Sequence, residues 1–425
     1  MGIDEEKLSR RIRRQHNLYI NSLTSKCNHN IQRVIKEISY GMLAKNSALL
    51  SDIGRSLNES VSLRVTINRL SENLFENFHD RIEQKYMNAM RDYVSSETII
   101  AVDDGDIAKP RAKALEGLDY IWDGSIGEKE KGYPLFVSVA VNKNRDEVIP
   151  ILIRLFSRKD DAYKSDNHAI EEYVKQLLNT YKTKPTYVFD RGFCSISRMK
   201  FLDDYGVLFV MRARERTAKN EAGVAVDVFS WARALELPYS TNIVSIRNGK
   251  ELQQKAWYRV EPLTIEGLEV QSVIMRIESH DICILFTNRR IGNMKYAAFG
   301  AEIISIYGHR WSIEEYNRFI KQILDFENIR VQNLVSIRNM VAITTITAGF
   351  ISHIGFLRKS LHRMTMKLIE IGKPLREEVR FPHYRISAAI KVLFERRIKP
   401  AFAFKNRHKP EPTPIPLLDG LDDKT

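Results

Sequence analysis

Over residues 1 to about 95 the apolar positions recur at the three- and four-residue spacing of helices. Ile31, Val34, Ile35, Ile38 and Met42 form one such stripe, and Lys7, Arg10, Arg11, Arg13 and Arg14 open the helix before it. Within Ala48–Leu70 the pattern predicts two short helices about a turn. As a helix-turn-helix, the second would expose Ser62, Arg64, Thr66, Asn68 and Arg69, and Arg64, Asn68 and Arg69 carry donors suited to phosphates and base edges. An ordinary helical hairpin explains the same spacing. From Glu97 the period changes to that of strands.

Thr98–Asp103, Leu135–Val141 and Val148–Phe156 are apolar runs of strand length, and Ile107–Tyr133 between the first two is loop-like. A helix follows over about Asp166–Tyr181, then a strand at Thr186–Asp190, a helix at Ser195–Tyr205 and a strand at Val207–Met211. The order β-β-β-α-β-α-β departs from strict βαβ alternation and fits an RNase H-like core, a mixed sheet flanked by helices. Strand signals at Lys255–Val260, Leu268–Ile277 and Ile282–Phe286 predict a β-rich insertion, in which Trp257 reads as a core residue. Helix resumes near Met294 and recurs to about Leu361.

The predicted fold is therefore α/β: a helical N-terminal DNA-binding domain (1–95), the first part of the core (96–214), the insertion (215–292), the second part of the core (293–361) and a helical, basic C-terminal region with its tail (362–425). Arg358–Lys409 is strongly basic, and the stretch from Glu411 has the composition of a disordered tail.

Charge sharpens this picture. A net charge of +13 favours a polyanionic partner, nucleic acid or an anionic membrane surface. Asn339–Leu357 carries no Lys, Arg, Asp or Glu and is about as long as a membrane span, but its Asn, Thr, Ser and His residues predict a buried core helix and no membrane partner. The three cysteines, Cys27, Cys194 and Cys283, lie far apart, which argues against a disulfide framework or a zinc site. With no apolar leader at the N-terminus, they predict a cytoplasmic, nucleoid-associated protein.

Three acids stand at telling places. Asp103 ends the first predicted strand, Asp190 ends the fourth, and Glu314 lies on the helix after the insertion. In an RNase H-like sheet those strands are neighbours and the three carboxylates converge. Like charges that close need cations, and two divalent ions roughly 3.5–4 Å apart would activate water or a 3′-hydroxyl against a phosphodiester. Asp103 is preferred over Asp104 and Asp106 because it follows the apolar run directly, with Asp106 supporting and Asp104 exposed. On one predicted helix, Tyr307, Arg310, Glu314, Arg318 and Lys321 fall within roughly a quarter of the circumference. That face puts one carboxylate among three cations and a phenol, and an ordinary solvated face with a Glu314–Arg318 pair accounts for the same spacing.

Tyr307-x2-Arg310-x3-Glu314-x6-Lys321 resembles the Y-R-E-K signature of insertion-sequence, IS four-type DDE transposases. Ala101-Val-Asp103-Asp-Gly-Asp-Ile and Tyr187-Val-Phe-Asp190-Arg-Gly-Phe193 are similar to the blocks around that family's two aspartates. The resemblance covers roughly residues 95–335. It implies an enzyme that cuts an element at its ends and joins it to target DNA by metal-dependent hydrolysis and transesterification. It further implies Asp103, Asp190 and Glu314 as catalytic and metal-holding residues, with Mg²⁺ as cofactor and Mn²⁺ as substitute. Tyr307, Arg310 and Lys321 would hold phosphates, with Arg318 beside them, and a homodimer would assemble on double-stranded DNA. The tryptophan of the family's last insertion strand has no counterpart in His280–Phe286. Another RNase H-like nuclease or resolvase, or a transposase-derived DNA-binding protein without activity, are the alternatives.

Overall fold

A computed structural model describes residues 3–123, 127–142, 147–247, 250–278, 281–357, 361–372, 381–395 and 401–402. Five helices come first: α1 (Ile3–Thr24), α2 (His29–Lys45), α3 (Leu50–Leu57), α4 (Leu63–Asn73) and α5 (His79–Ala89). Asn28 caps α2 by accepting from the Ile31 amide. Asn46 and Asn58 end α2 and α3 in the left-handed region that asparagine tolerates.

The core follows as β1 (Ile99–Ala108), β2 (Asp119–Asp123), β3 (Glu128–Val141), β4 (Val148–Leu155), α6 (Asp166–Thr180), β5 (Thr186–Phe189), α7 (Ile196–Asp204) and β6 (Leu208–Arg212). β3 pairs antiparallel with β1 and with β4, while β1, β5 and β6 run parallel. The spatial run β4-β3-β1-β5-β6 is the RNase H-like arrangement. It was predicted in the right order of elements, with two corrections. β1 continues through Ala108 rather than ending at Asp103, and β2 forms inside the stretch predicted as loop. Both follow from the length of β3, which pairs residue by residue with β1 as far as Ala108–Gly132 and holds β2 beside its first half. Backbone pairing thus carries the acids of β1 inside a strand that the side-chain pattern ends early.

The chain after β6 widens the same sheet. It adds β7 (Thr217–Asn220), β8 (Ala225–Asp227), α8 (Val228–Ala234), β9 (Tyr239–Arg247), β10 (Lys250–Ile265), β11 (Leu268–Ile277) and β12 (Cys283–Thr287), with β12 paired to β6. The last three were predicted; β7, β8, α8 and β9 were not. Then come α9 (Tyr296–Gly308), α10 (Trp311–Gln322), α11 (Leu334–Ser352), α12 (His362–Ile371) and α13 (Pro382–Glu395).

α11 is the buried core helix that its composition predicts. Among the described residues Leu334–Leu357 is the one helix long and apolar enough to span a membrane, and most of it is buried in protein. Its polar groups are satisfied internally. Thr344, Thr345 and Thr347 donate to the carbonyls four residues back, and Asn339 bonds the backbone of Leu74, Glu76 and Phe78. Tyr86 lies against Gly349, where a β-carbon would have no room, and donates to the Pro150 carbonyl at 2.6 Å. One phenol so ties α5, α11 and β4 together, and the first five helices share a continuous apolar core with α11, α13 and the sheet.

Candidate active site

The ladder between β1 and β5 pairs Val102 with Phe189. The next residue on each strand is an aspartate, so Asp103 and Asp190 leave adjacent parallel strands side by side. Asp190 is the last residue before the Arg191–Phe193 turn. Along β1, alternate side chains take opposite faces. Asp103 turns toward α10, where Asn317 Nδ2 lies 3.5 Å from its carboxylate. Asp104 turns toward α7, where the Arg198 and Arg214 guanidinium groups offset its charge.

Glu314 sits in the first turn of α10. The single helix predicted through Tyr307 and Lys321 is in fact two. The Tyr307 carbonyl accepts from the Arg310 amide and the Arg310 carbonyl from the Ile313 amide, three residues on, so the turn tightens between α9 and α10. His309 and Arg310 keep helical dihedrals, and the predicted face survives the break. The Arg310 guanidinium lies over the Tyr307 ring at 5.8 Å, reaches Glu314 Oε1 at 2.5 Å and stands 3.8 Å from Asp190 Oδ1. The Tyr307 hydroxyl donates to Asp190 at 3.3 Å. Glu314 takes Arg310 as its partner; Arg318 pairs instead with Glu315 at 2.7 Å, correcting the predicted Glu314–Arg318 pair. Lys321 reaches Asp106 at 3.8 Å and Glu327 at 2.9 Å.

The carboxylates repel one another. The Asp103 carboxyl is pushed up to about 7 by burial, with repulsion from Asp104, Asp190 and Glu314 added and Arg310 opposing. Burial also raises the Tyr307 phenol, keeping it a donor. All-oxygen donors and excess negative charge suit a hard divalent cation. Among the described residues no three His, Cys, Asp or Glu side chains form a ready-made cage; Arg310 lies between Asp190 and Glu314. The residues thus fit such an ion in donor type and charge, with an arginine already offsetting part of the repulsion.

A measurable consequence follows for pH. Between about 4 and 7 the folded chain keeps a proton on Asp103 that the unfolded chain gives up, so without metal this residue lowers stability as pH rises through that window. Asp103→Asn should melt higher than wild type at pH 8 in chelator, with the gap closing toward pH 5. Melting curves that stay parallel across that range would contradict the assigned environment.

A transposase DDE domain model matches residues 95–349, more than half of the chain. The chain belongs to the DDE transposase family. It is a DNA transposase, and such proteins generally work with divalent metal ions. No curated protein sequence matches this transposase. Among solved structures it is similar to a piggyBac transposase seen by cryo-electron microscopy in a synaptic complex with hairpin DNA. That match has 12% identity and a TM-score of 0.44, and covers 91% of this chain and 78% of the other.

Other predicted residues of the transposase fall elsewhere. α3 and α4 form the expected pair of short helices, with Ser62, Arg64 and Asn68 exposed. Thr66 is buried and donates to Glu59, and Arg69 is held by Glu59 at 2.9 Å and by the buried Glu37, correcting their predicted exposure. The cause is Glu37, whose carboxylate has no access to water and takes both Arg33 and Arg69 as partners. Trp257 is 38% exposed with Lys255 Nζ 5.4 Å from its ring, so it is not a core residue; Ala256 and Tyr258, its neighbours on β10, take the inner face. Arg358, Lys359, Lys373, Arg376, Arg380, Arg396, Arg397, Lys399 and the residues from 403 on lie outside the described residues.

One group escaped prediction. Arg214 and Arg198 both donate to the Gly192 carbonyl at 3.1 Å, and Arg216 donates to Cys194, which packs arginines around the turn after Asp190. The alternation Arg212-Ala-Arg214-Glu-Arg216 at the end of β6 was a legible signal.

Proposed function

We propose that this transposase is of the insertion-sequence, IS four-type kind with a Y-R-E-K helix, cutting the ends of its element and joining them to target DNA. The observation that carries this is the approach of Asp103 on β1, Asp190 just past β5 and Glu314 in the first turn of α10, with Tyr307 and Arg310 bonded into the same cluster. Asp103, Asp190 and Glu314 are the residues that would hold Mg²⁺ or Mn²⁺. When bound, the metal supplies Lewis-acid activation of a water or 3′-hydroxyl and neutralises charge on the phosphate.

The chain's own side chains do the rest. Tyr307 orients Asp190 through its hydroxyl, and Arg310 offsets the mutual repulsion of the carboxylates. Arg310, Arg318 and Lys321 present cations beside the cluster for the phosphates of the end, and a second copy of the chain would complete a synapsed pair of ends. Arg64 and Asn68, exposed on α4, are the readers of end sequence within residues 1–95.

Two measurements test this. Duplex carrying the element's own terminal repeat should be nicked at the element boundary with Mg²⁺ or Mn²⁺. Ca²⁺, with longer bonds and looser geometry, should support binding without turnover. Absence of any metal-dependent nicking would remove the reading. Separately, Arg310→Ala and Lys321→Ala should each flatten the log–log salt dependence of end binding by about one unit; an unchanged slope in both would leave them as partners of Asp190, Glu314 and Glu327 only.

A further inference from the structure

A second site lies away from the carboxylates, between α1 and α2. Arg10, Arg13, Arg14 and Asn17 recur at helical spacing on α1 and line one side of a cavity of about 330 Å³; Tyr40 of α2 and Phe402 line the other. The cavity is at the low end of the range for ligand pockets, about 300–1,000 Å³. It would hold roughly ten waters at about 30 Å³ each, well beyond the needs of a lone oxyanion.

Its charge is unbalanced. Glu6, exposed on the same helix, reaches Arg10 at 3.8 Å, and no other acid–arginine pair involves these three arginines among the described residues. Arg13 is half-buried, its guanidinium donating to the Ser9 carbonyl at 3.4 Å. Burial holds its pKa below the ordinary arginine value, with Tyr40 and Glu6 opposing and Arg10 adding repulsion. Half-buried beside Arg10, Arg13 is placed to take an anion.

His16 and Asn17 complete the lining on α1; His16 Nδ1 and Asn17 Oδ1 are sealed from solvent and have no hydrogen-bond partner among the described residues. The His16 ring bonds Ser39 through Nε2 at 2.9 Å. Across from the cations Phe402 meets Tyr40 edge-on at 5.3 Å, and Leu18, on α1 with the arginines, is 54% exposed.

We propose that this pocket binds a nucleotide, its phosphate held by Arg10, Arg13 and Arg14 and its base lying against Phe402 and Leu18. Arginine forks suit phosphate oxygens, and an aromatic wall accepts any base face. The nucleotide is either free or part of a DNA strand. The site shares no residue with the carboxylate cluster, so its failure would leave the catalytic assignment standing.

The test is calorimetric titration of the full chain, in chelator, with inorganic phosphate, deoxyadenosine, dAMP and a five-residue single-stranded oligonucleotide. dAMP should bind at least about tenfold tighter than phosphate or nucleoside alone. Arg13→Gln/Arg14→Gln should weaken dAMP about tenfold or more, and Phe402→Ala should weaken dAMP while leaving phosphate unchanged. An oligonucleotide binding far tighter than dAMP, and losing affinity in the same variants, assigns the site to a DNA strand; equal affinities assign it to free nucleotide. Phosphate binding as tightly as dAMP, indifference to the arginine variants, or no binding of either nucleotide form would overturn the proposal. Unchanged melting temperatures of the variants would confirm that a loss is local.

Discussion

Alanine at Asp103, Asp190 or Glu314 should reduce end cleavage by at least about a thousandfold while leaving end binding within a few-fold of wild type. The size follows from the role. Losing a carboxylate that holds the metal forfeits several kcal/mol of transition-state stabilisation, and about 4 kcal/mol is a thousandfold in rate. Because the three act as a unit, a double variant should be little worse than a single one. Binding should survive because the proposed contacts to DNA are made by cations. Removing Asp190 or Glu314 even frees Arg310 from a partner, so non-specific affinity should rise slightly. Nicking by Glu314→Ala in Mg²⁺ at the wild-type rate would end the assignment. Wild-type rates in Asp103→Ala, with loss in Asp104→Ala, would move the first aspartate to the α7 face.

The second large effect is expected on α4. Arg64→Ala/Asn68→Ala should lose preference for the element's end over random duplex by about 10- to 100-fold for each residue, since a bidentate contact to a base is worth about 1–3 kcal/mol of discrimination. Metal-dependent nicking of random duplex at high protein concentration should persist. The buried lattice of Glu37, Arg33, Arg69 and Glu59 fixes α4 on α2, so the double variant should remain folded. Arg69→Ala is the contrasting variant. It leaves the buried Glu37 with Arg33 alone and should cost stability, about 1.5–3 kcal/mol for a lost hydrogen bond to a charged group, whatever its effect on DNA. Full discrimination in Arg64→Ala/Asn68→Ala would place the reader of sequence on another surface.

The sequence pattern was most legible where one physical cause dominates. Val148–Phe156 and Val207–Met211 are strands because they are largely buried on both faces, and α11 is a core helix because beyond Arg338 it carries no charge and its polar side chains bond within the protein. Asp103 and Asp190 could be paired because a parallel ladder fixes which residues lie abreast. Legibility failed where long-range pairing overrides local pattern. The polar end of β1 stays in the sheet because β3 holds it, and the Arg318 partner is set by which carboxylate Arg310 has already taken. Arg69 was misread for a related reason: its spacing on α4 suits a DNA-facing side chain, but Glu37, 32 positions earlier, captures it. No single-helix pattern carries that information.

The seating of Tyr86 against Gly349, with the core shared by α1, α2, α5, α11 and α13, bears on how such an element could change its target. A reader joined by a linker can be exchanged whole between relatives. Here a graft of the first 95 residues would arrive without the surface it was shaped against. Retargeting by recombination would need matched segments from both ends of the gene, so point changes on the outer side of α4 are the accessible evolutionary route, and chimeras that split α5 from α11 should be recovered as insoluble protein.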